Sequence, residues 1–398
     1  MTIIPPTVTD RSVGRARRPA TPRRGLRRLH RATLLLLAAC CAVGAATVGG
    51  SPAAAATPVG GPVMGTTATQ IPRGAALIPT SVKSRAFVVA DLTSGAVYSV
   101  RRPHYKLAPA STLKTLTALT ILRNVPLDKT VRYNAAIPKP ECACVNMVRG
   151  KYYRVGDLLN ALIMRSGNDV AELLATSTGS RARTMTLMNN TLRDLRAADS
   201  RAVTPSGLDG RGQSMSAYDL ALVNRAAFAD ARFRRIMALR SFQFGYVGGS
   251  KRTLVAQNEL WHLGYRGELG SKNGWTTRAQ QTFVAVARRG DRTLVVTLLY
   301  NDTGIAKQAA QLLDWGFALK PGTGAIGTLV EPRSKPVAKW IAPKAASAPT
   351  PASPLPVQTS LSLGAVGLAG LALLPGRRPG DRNVTRRTRT TGRGSSTR

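Results

Sequence analysis

Residues 107–122, LAPASTLKTLTALTIL, decide the fold of this chain. Their apolar residues fall on several faces of a helix, which predicts a helix buried all round rather than on one side. Ser111 lies where this helix begins and Lys114 follows one turn later, so their side chains share a face. A buried lysine loses solvation, which lowers its pKa and lets the amine activate the serine as a nucleophile. Backbone N–H groups at the helix start would face developing negative charge.

The same pattern has a structural interpretation that needs no chemistry. Ser111 is a suitable helix N-cap, and the Lys114 side chain is long enough to reach the surface. Ser-x-x-Lys is also short enough to occur by chance, so the rest of the chain has to decide between the two interpretations.

Charge is concentrated at the two ends of the 398-residue chain. Residues 1–56 hold nine Arg and one Asp, and residues 375–398 hold eight Arg and one Asp, which leaves +23 of the net +38 between them. The basic residues of this middle part are scattered, without the basic-aromatic clustering of nucleic-acid-binding proteins. We therefore expect no nucleic-acid partner.

Both ends predict export and anchoring. Residues 1–56 resemble a signal peptide, with a basic run, an apolar run and small residues for cleavage near Ala56; an uncleaved anchor is the alternative. A Pro-rich linker is predicted over 321–354, a transmembrane helix over 355–374 and a basic cytoplasmic tail over 375–398. An unstructured hydrophobic tail is the alternative for the apolar segment, which is rich in Gly, Ala and Ser.

The remaining cysteines and histidines predict no metal site and no cofactor. Cys142 and Cys144 would lie in an oxidising compartment, where they can pair across a tight loop. A metal site is less favoured because His104 and His262 lack ligand spacing.

Residues 81–320 predict one α+β domain, preceded by a flexible lead over 57–80. Strands over 85–92 and 97–100 precede the central helix, and several helices follow it. Strands over 282–288 and 292–300 and a helix over 306–318 close the domain. This order predicts an antiparallel sheet built from both ends of the domain, with helices packed on it.

Two further motifs fall within this domain. Ser166-Gly167-Asn168 separates two predicted helices, where a serine and an amide can face a cleft; a helix-breaking turn is the alternative. Lys272-Asn273-Gly274 lies at the start of a predicted strand, where the glycine permits close approach of a ligand; an ordinary strand edge is the alternative.

Ser-x-x-Lys, Ser-x-Asn and Lys-x-Gly occur in this order, separated by 55 and 106 residues. With this layout, residues 84–320 resemble the D-alanyl-D-alanine carboxypeptidases, the low-molecular-weight penicillin-binding proteins. The segments TPSGLD at 204–209, MSAYD at 215–219 and LLDWGF at 312–317 add to the resemblance. It implies a β-lactamase/transpeptidase-like α+β fold, a substrate that is peptidoglycan pentapeptide ending in D-Ala-D-Ala, and inhibition by β-lactam antibiotics. From this resemblance together with the predicted export signal and transmembrane helix, we expect an extracytoplasmic domain at the bacterial cell membrane.

The resemblance also implies roles for individual residues. Ser111 would attack the carbonyl of the penultimate D-alanine, Lys114 would accept its proton, and Ser166 would help to pass a proton to the leaving D-alanine. The backbone N–H groups of Ser111 and Trp275 would form the oxyanion hole. The implied substrate-binding residues are Asn168, Lys272, Asn273, Gly274, Trp275 and Thr276.

Two departures from the family pattern affect the implied pocket for the terminal carboxylate. Asn273 replaces the usual Thr or Ser, and Ile305 falls where many relatives have Arg, with Lys307 nearby. We expect weakened D-Ala-D-Ala recognition. Two other functions remain open: a β-lactamase, although Asp194 and Asp199 lie in no recognisable deacylation motif, and a basic wall-binding module without efficient catalysis.

Overall fold

The computed structural model describes residues 57–333 except 139 and 142. The predicted signal peptide, the transmembrane helix over 355–374, the tail and most of the linker lie outside these residues. Within them, no helix combines the length and the apolar character needed to cross a membrane.

One antiparallel sheet organises the domain. The strands of the domain are β1 (Thr69–Gln70), β2 (Ala86–Asp91), β3 (Ala96–Arg101), β4 (Thr130–Arg132), β5 (Tyr152–Arg154), β6 (Ser241–Gly245), β7 (Lys251–Val255), β8 (Glu268–Thr276), β9 (Gln280–Arg289), β10 (Arg292–Asn301) and β11 (Gly327–Thr328). The sheet has the strand order β1-β3-β2-β10-β9-β8, and β11 also pairs with β3. Two short antiparallel strand pairs, β4-β5 and β6-β7, lie apart from it.

Helices cover both faces of this sheet. They are α1 (Lys114–Asn124), α2 (Val155–Met164), α3 (Asn168–Thr176), α4 (Arg181–Asp194), α5 (Ala217–Ala229), α6 (Ala231–Ala238), α7 (Glu259–His262) and α8 (Ile305–Ala318). Strand β2 shows the layering: Val88 packs with the helical layer that contains α1, whereas Val89 packs with α8 on the other face. The predicted sheet from both ends of the domain, with helices packed on it, is confirmed.

The central helix is buried all round, as its sequence predicts. Every residue from Lys114 to Leu122 is buried. Its start differs from the prediction, because Ala110–Leu113 forms a 3-10 turn that contains Ser111, and the α-helix begins at Lys114. The nucleophile candidate therefore lies in a tight turn that leads into the helix.

Other boundaries also differ from the prediction. Strand β8 begins at Glu268, so Lys272 lies in the middle of a strand rather than at its start. The helix predicted over 185–195 is α4, which begins earlier, at Arg181, where the Ser180 side chain accepts a hydrogen bond from the N–H of Arg183. The hairpin β6-β7 and the helix α6 were not predicted, because their segments are only five and eight residues long and α6 carries three arginines.

The folded domain extends past both predicted limits. Residues 57–80, predicted as a flexible lead, contribute strand β1 and the buried Met64. Beyond the predicted limit at 320, strand β11 pairs with β3 and Leu329 is buried. Backbone hydrogen bonds hold these segments in the sheet, and such bonds need no apolar sequence pattern. Their Gly-, Pro- and Thr-rich composition therefore gave no sign that they belong to the folded domain.

Candidate active site

Lys114 and Ser111 meet inside the domain. The Nζ atom of Lys114 lies 2.7 Å from the Ser111 Oγ, 2.7 Å from the Asn168 Oδ1 and 2.7 Å from the carbonyl oxygen of Ser206. The carbonyl and amide oxygens can only accept hydrogen bonds. A neutral amine has two N–H donors for them and one lone pair left for the Ser111 hydroxyl. The geometry therefore suits a lysine that accepts the serine proton.

The orientation of Asn168 is fixed by its neighbours. Its Nδ2 donates to the carbonyl oxygen of Glu141 at 2.6 Å, so its Oδ1 must be the atom that faces Lys114. The backbone N–H of Asn168 donates to the carbonyl oxygen of Ala143 at 2.7 Å. The residue that holds the amine is thus itself held at both ends.

Burial makes Lys114 a base. Its side chain is fully buried, and loss of solvation holds the pKa of its amine well below the usual value. The positive charge of Lys272 lowers this pKa further, and the negative charge of Asp169 partly opposes it. An amine with a lowered pKa is more often neutral, which is the form that accepts a proton.

The turn that carries Ser111 has strained backbone. Ala110 has a φ of 46°, a region that side chains rarely adopt. Gly207 lies directly against it, since a Cβ added there would overlap the carbonyl oxygen of Ala110. The carbonyl oxygen of Pro109 accepts hydrogen bonds from the Thr112 and Thr282 hydroxyls at 2.6 and 2.8 Å. Strain of this kind persists only where the surroundings fix it, as it does in many active sites.

Strand β8 lies against the same turn. A Cβ added at Gly274 would lie 2.5 Å from the backbone nitrogen of Ser111 and 2.6 Å from the Thr282 Oγ1, so only glycine fits there. Trp275 follows, with its side chain 64% exposed. The Thr276 hydroxyl donates to the Asp209 Oδ1 at 3.3 Å. The candidate oxyanion donors of residues 111 and 275 are therefore brought to one place by Gly274.

Lys272 is the second buried amine of the site. Its Nζ donates to the carbonyl oxygen of Asn273 at 2.6 Å and to the Asn273 Oδ1 at 3.3 Å. Burial lowers the pKa of Lys272 to about 7, against the opposing charge of Glu259. This amine is therefore charged in only part of the molecules near neutral pH.

Ser166 lies between α2 and α3 with a φ of 58° and is buried. The Ser166 side chain forms no hydrogen bond to another described residue, so the predicted relay from Ser166 to Lys272 is not closed by a direct contact here. The structure brings Ser111, Lys114 and Asn168 into contact and places Lys272 near enough to affect the pKa of Lys114.

Comparison with known proteins agrees with this geometry. The family model described as D-alanyl-D-alanine carboxypeptidase matches residues 73–303, more than half of the chain. The chain belongs to the D-alanyl-D-alanine carboxypeptidase family. The D-alanyl-D-alanine carboxypeptidase DacB2 of Mycobacterium tuberculosis is 40% identical over 268 residues, which cover 65% of this chain and 90% of that protein. DacC of Escherichia coli is 30% identical over 252 residues, which cover 60% of this chain and 62% of DacC.

Solved structures give the same result. The crystal structure of a D-alanyl-D-alanine carboxypeptidase from Mycobacterium tuberculosis matches with a TM-score of 0.62 and 38% identity, covering 65% of this chain and 99% of that one. The DD-transpeptidase of Streptomyces matches with a TM-score of 0.57 at 23% identity over 61% of this chain and all of that one, which shows the shared fold.

Sequence reasoning missed one contact of this carboxypeptidase site. The carbonyl oxygen of Ser206 accepts from Lys114. Main-chain oxygens carry no signal in the residue types, although Ser206 belongs to the segment TPSGLD, whose resemblance to the family could have pointed to this loop.

Two features outside the site concern the predicted disulfide and metal chemistry. Cys144 is disulfide-bonded, and Cys142, its predicted partner, lies outside the described residues. The ligand atoms of His104, Asp199 and Asp219 lie within 4.8 Å of one another. Hydrogen bonds already engage both ring nitrogens of His104, 2.6 Å from Asp199 and 2.9 Å from the carbonyl oxygen of Val59. These contacts indicate that the cluster has a structural role, in which His104 links Asp199 to the backbone of Val59.

Proposed function

We propose that this member of the family removes the terminal D-alanine from peptidoglycan stem peptides through an acyl-enzyme on Ser111. The observation that carries the proposal is the set of three contacts at the Nζ of Lys114, which leaves its lone pair for the Ser111 hydroxyl. The departures from the family pattern at Asn273 and Ile305 affect recognition of the substrate. They leave the pair of Ser111 and Lys114 unchanged.

The first half of the reaction forms the acyl-enzyme. The Ser111 Oγ attacks the carbonyl carbon of the penultimate D-alanine while its proton passes to the Nζ of Lys114. The oxyanion that forms accepts hydrogen bonds from the backbone N–H groups of Ser111 and Trp275, which Gly274 allows to converge. The C–N bond then breaks as the nitrogen of the terminal D-alanine gains the proton held by Lys114, which is passed on through Ser166 and Lys272. The D-alanine leaves, and Lys114 is neutral again.

The second half releases the shortened peptide. A water molecule attacks the ester carbonyl, Lys114 accepts a proton from that water, and Lys114 passes this proton to the Ser111 Oγ as the ester bond breaks. Lys272 in its charged form attracts the terminal carboxylate of the substrate, and the side-chain NH₂ of Asn273 takes the position of the hydroxyl found in relatives. β-Lactams would acylate Ser111 because they mimic the dipeptide.

We also propose where this reaction occurs. The basic and apolar runs of residues 1–56 and the apolar run over 355–374 support an exported protein held at the bacterial cell membrane with its folded domain outside. Membrane fractionation of cells that express the chain with and without residues 355–398 would test the anchor. Release of the truncated protein into the soluble fraction supports it, and an unchanged distribution contradicts it.

Intact-mass measurement after incubation with penicillin tests the catalytic proposal. We expect a stable adduct on the unaltered chain, no adduct on Ser111→Ala, and a full adduct on the matched control Ser250→Ala, which alters an exposed serine away from the site. Release of D-alanine from a pentapeptide should follow the same order. Rapid turnover of penicillin would instead support a β-lactamase, and absence of an adduct would support a wall-binding protein without efficient catalysis.

A further inference from the structure

A large cavity of the described domain lies outside the catalytic centre. Its volume is about 1090 Å³, slightly above the range of typical small-molecule sites. Its walls come from helix α4, the segment after it, residues 212–214, the turn after β8 and residue 333. A cavity of this size can hold several units of a chain molecule.

The lining of this cavity is strongly basic. Among its residues, one carboxylate, that of Asp199, faces six cationic side chains. Asp199 is already bonded to His104 at 2.6 Å. All six cationic residues are exposed, and none forms an ion pair with a carboxylate within the described part of the chain: Lys106, Arg193, Arg196, Arg201, Arg278 and Arg333.

The walls are held in place before any ligand arrives. Arg201 and Ser214 exchange two backbone hydrogen bonds at 2.9 and 3.1 Å. Asn189 bonds the backbone of Ala202 with both ends of its amide, at 2.8 and 3.0 Å. The cations therefore project from a fixed frame, which reduces the ordering cost of binding.

We propose that this cavity binds an anionic linear polymer that carries phosphate or carboxylate groups along its chain. Five of the six cations are arginine, whose planar fork donates paired hydrogen bonds to either kind of oxyanion. Six exposed cationic side chains around one concave space, without ion pairs to the described carboxylates, attract most strongly an occupant with several anionic groups, which a polymer supplies and a single small anion does not.

The cavity also adjoins the catalytic centre. Arg278 follows Thr276, which contacts Asp209, and the wall at Ala202–Val203 leads into the loop whose Ser206 carbonyl oxygen holds Lys114. A polymer bound in this cavity would hold the enzyme on that polymer, with the catalytic cleft next to the point of attachment. This binding is separate from the proposed peptidase reaction and does not depend on it.

Charge reversal tests the proposal on the whole chain. The probes are fluorescent inorganic polyphosphate and polygalacturonate. The triple variant Arg193→Glu, Arg196→Glu and Arg201→Glu should bind them at least about tenfold more weakly than the unaltered chain does. The reason is that three attractions between arginine and the polymer's anionic groups become repulsions. The matched control Arg132→Glu, Arg252→Glu and Arg266→Glu makes the same change of charge on exposed residues outside the cavity. It should bind almost as the unaltered chain does.

The two probes distinguish phosphate from carboxylate as the preferred group, and binding of either one that depends on the cavity supports the proposal. Binding should also weaken with added salt, because charges further apart than about 8 Å are screened at physiological ionic strength. Equal losses in the two triple variants, or no binding of either polymer at low salt, would overturn the proposal. Penicillin adduct formation by the cavity variant serves as the folding control and reports on the peptidase function separately.

Discussion

The positive charge of Lys272 lowers the pKa of Lys114. Both side chains are almost completely buried, at 1% and 0% exposure. Two amines that share a buried site cannot both stay protonated without cost, and the one that gives up its proton more readily becomes the base. The pair therefore favours a neutral Lys114 while leaving Lys272 able to carry charge toward the substrate.

These two amines should destabilise the fold at neutral pH. The folded-state pKa of Lys272 is about 7 against an ordinary 10.5, so the unfolded chain binds more protons between these values and stability rises with pH across this window. Lys272→Met should therefore raise the free energy of unfolding at pH 7 by about 3–5 kcal/mol, while abolishing efficient acylation. Denaturant unfolding at pH 7 and at pH 10 measures this gain.

The gain from Lys272→Met should shrink between pH 7 and pH 10. Lys114→Met should behave in the same direction, because burial also lowers the pKa of Lys114. Lys83→Met, which alters an exposed lysine, is the matched control and should leave stability within about 0.5 kcal/mol. A Lys272→Met protein that is less stable than the unaltered chain at pH 7 would show that the amine is not under strain in the folded state.

Gly274 should be indispensable for acylation. A Cβ there would meet the backbone nitrogen of Ser111 at 2.5 Å and the Thr282 hydroxyl at 2.6 Å, so Gly274→Ala must push strand β8 away from Ser111 and thereby separate the two oxyanion donors. Loss of one such donor costs about 2.7–4 kcal/mol of the barrier, so penicillin acylation should slow by about 100-fold or more. Stopped-flow acylation with a fluorescent penicillin measures it.

Gly324 offers the control for that substitution. Open space surrounds its Cβ position, and its φ is not in the left-handed region, so Gly324→Ala should acylate at the unaltered rate. Acylation by Gly274→Ala within twofold of the unaltered rate would mean that the strand does not supply a donor at this position.

The sequence predicted the parts of this site that depend on the identity of side chains. Ser111, Lys114 and Asn168 are side chains at characteristic spacings, and the all-round apolar pattern of α1 correctly predicted that Lys114 is buried. The carbonyl of Ser206 could not be found in this way, because every residue has one. Its contact depends on the path of a loop, which long-range packing decides.

The limits of the domain were wrong for a related reason. Residues 57–80 and the start of the predicted linker add strands through backbone hydrogen bonds, which composition does not encode. The Tyr218 hydroxyl donates to the carbonyl oxygen of Thr328 at 2.5 Å and accepts from the N–H of Val330 at 3.1 Å, and both contacts lie more than 100 residues away in the chain.

Removing this hydroxyl tests how much the late segment contributes. Tyr218→Phe leaves a part-buried carbonyl and an N–H without their partner, so we expect a loss of about 1–3 kcal/mol in the free energy of unfolding. Tyr152→Phe, in which the altered ring is 51% exposed, should change stability by less than about 0.5 kcal/mol. Equal stability of the two variants would mean that residues 328–330 do not contribute to the cooperative fold.

Asn273 should limit recognition of the substrate carboxylate. Its Oδ1 already accepts from Lys272 at 3.3 Å, so the side chain shares the amine that the carboxylate needs. Asn273→Thr removes this acceptor and supplies the hydroxyl usual in the family pattern, so KM for a D-Ala-D-Ala pentapeptide should fall about tenfold or more, since one hydrogen bond to a charged group contributes about 1.5–3 kcal/mol. Steady-state release of D-alanine measures KM and kcat, and Asn134→Thr, at an exposed position, is the control. If Asn273→Thr left both the KM and the rate of penicillin acylation unchanged, the asparagine would already serve the carboxylate as well as a hydroxyl does.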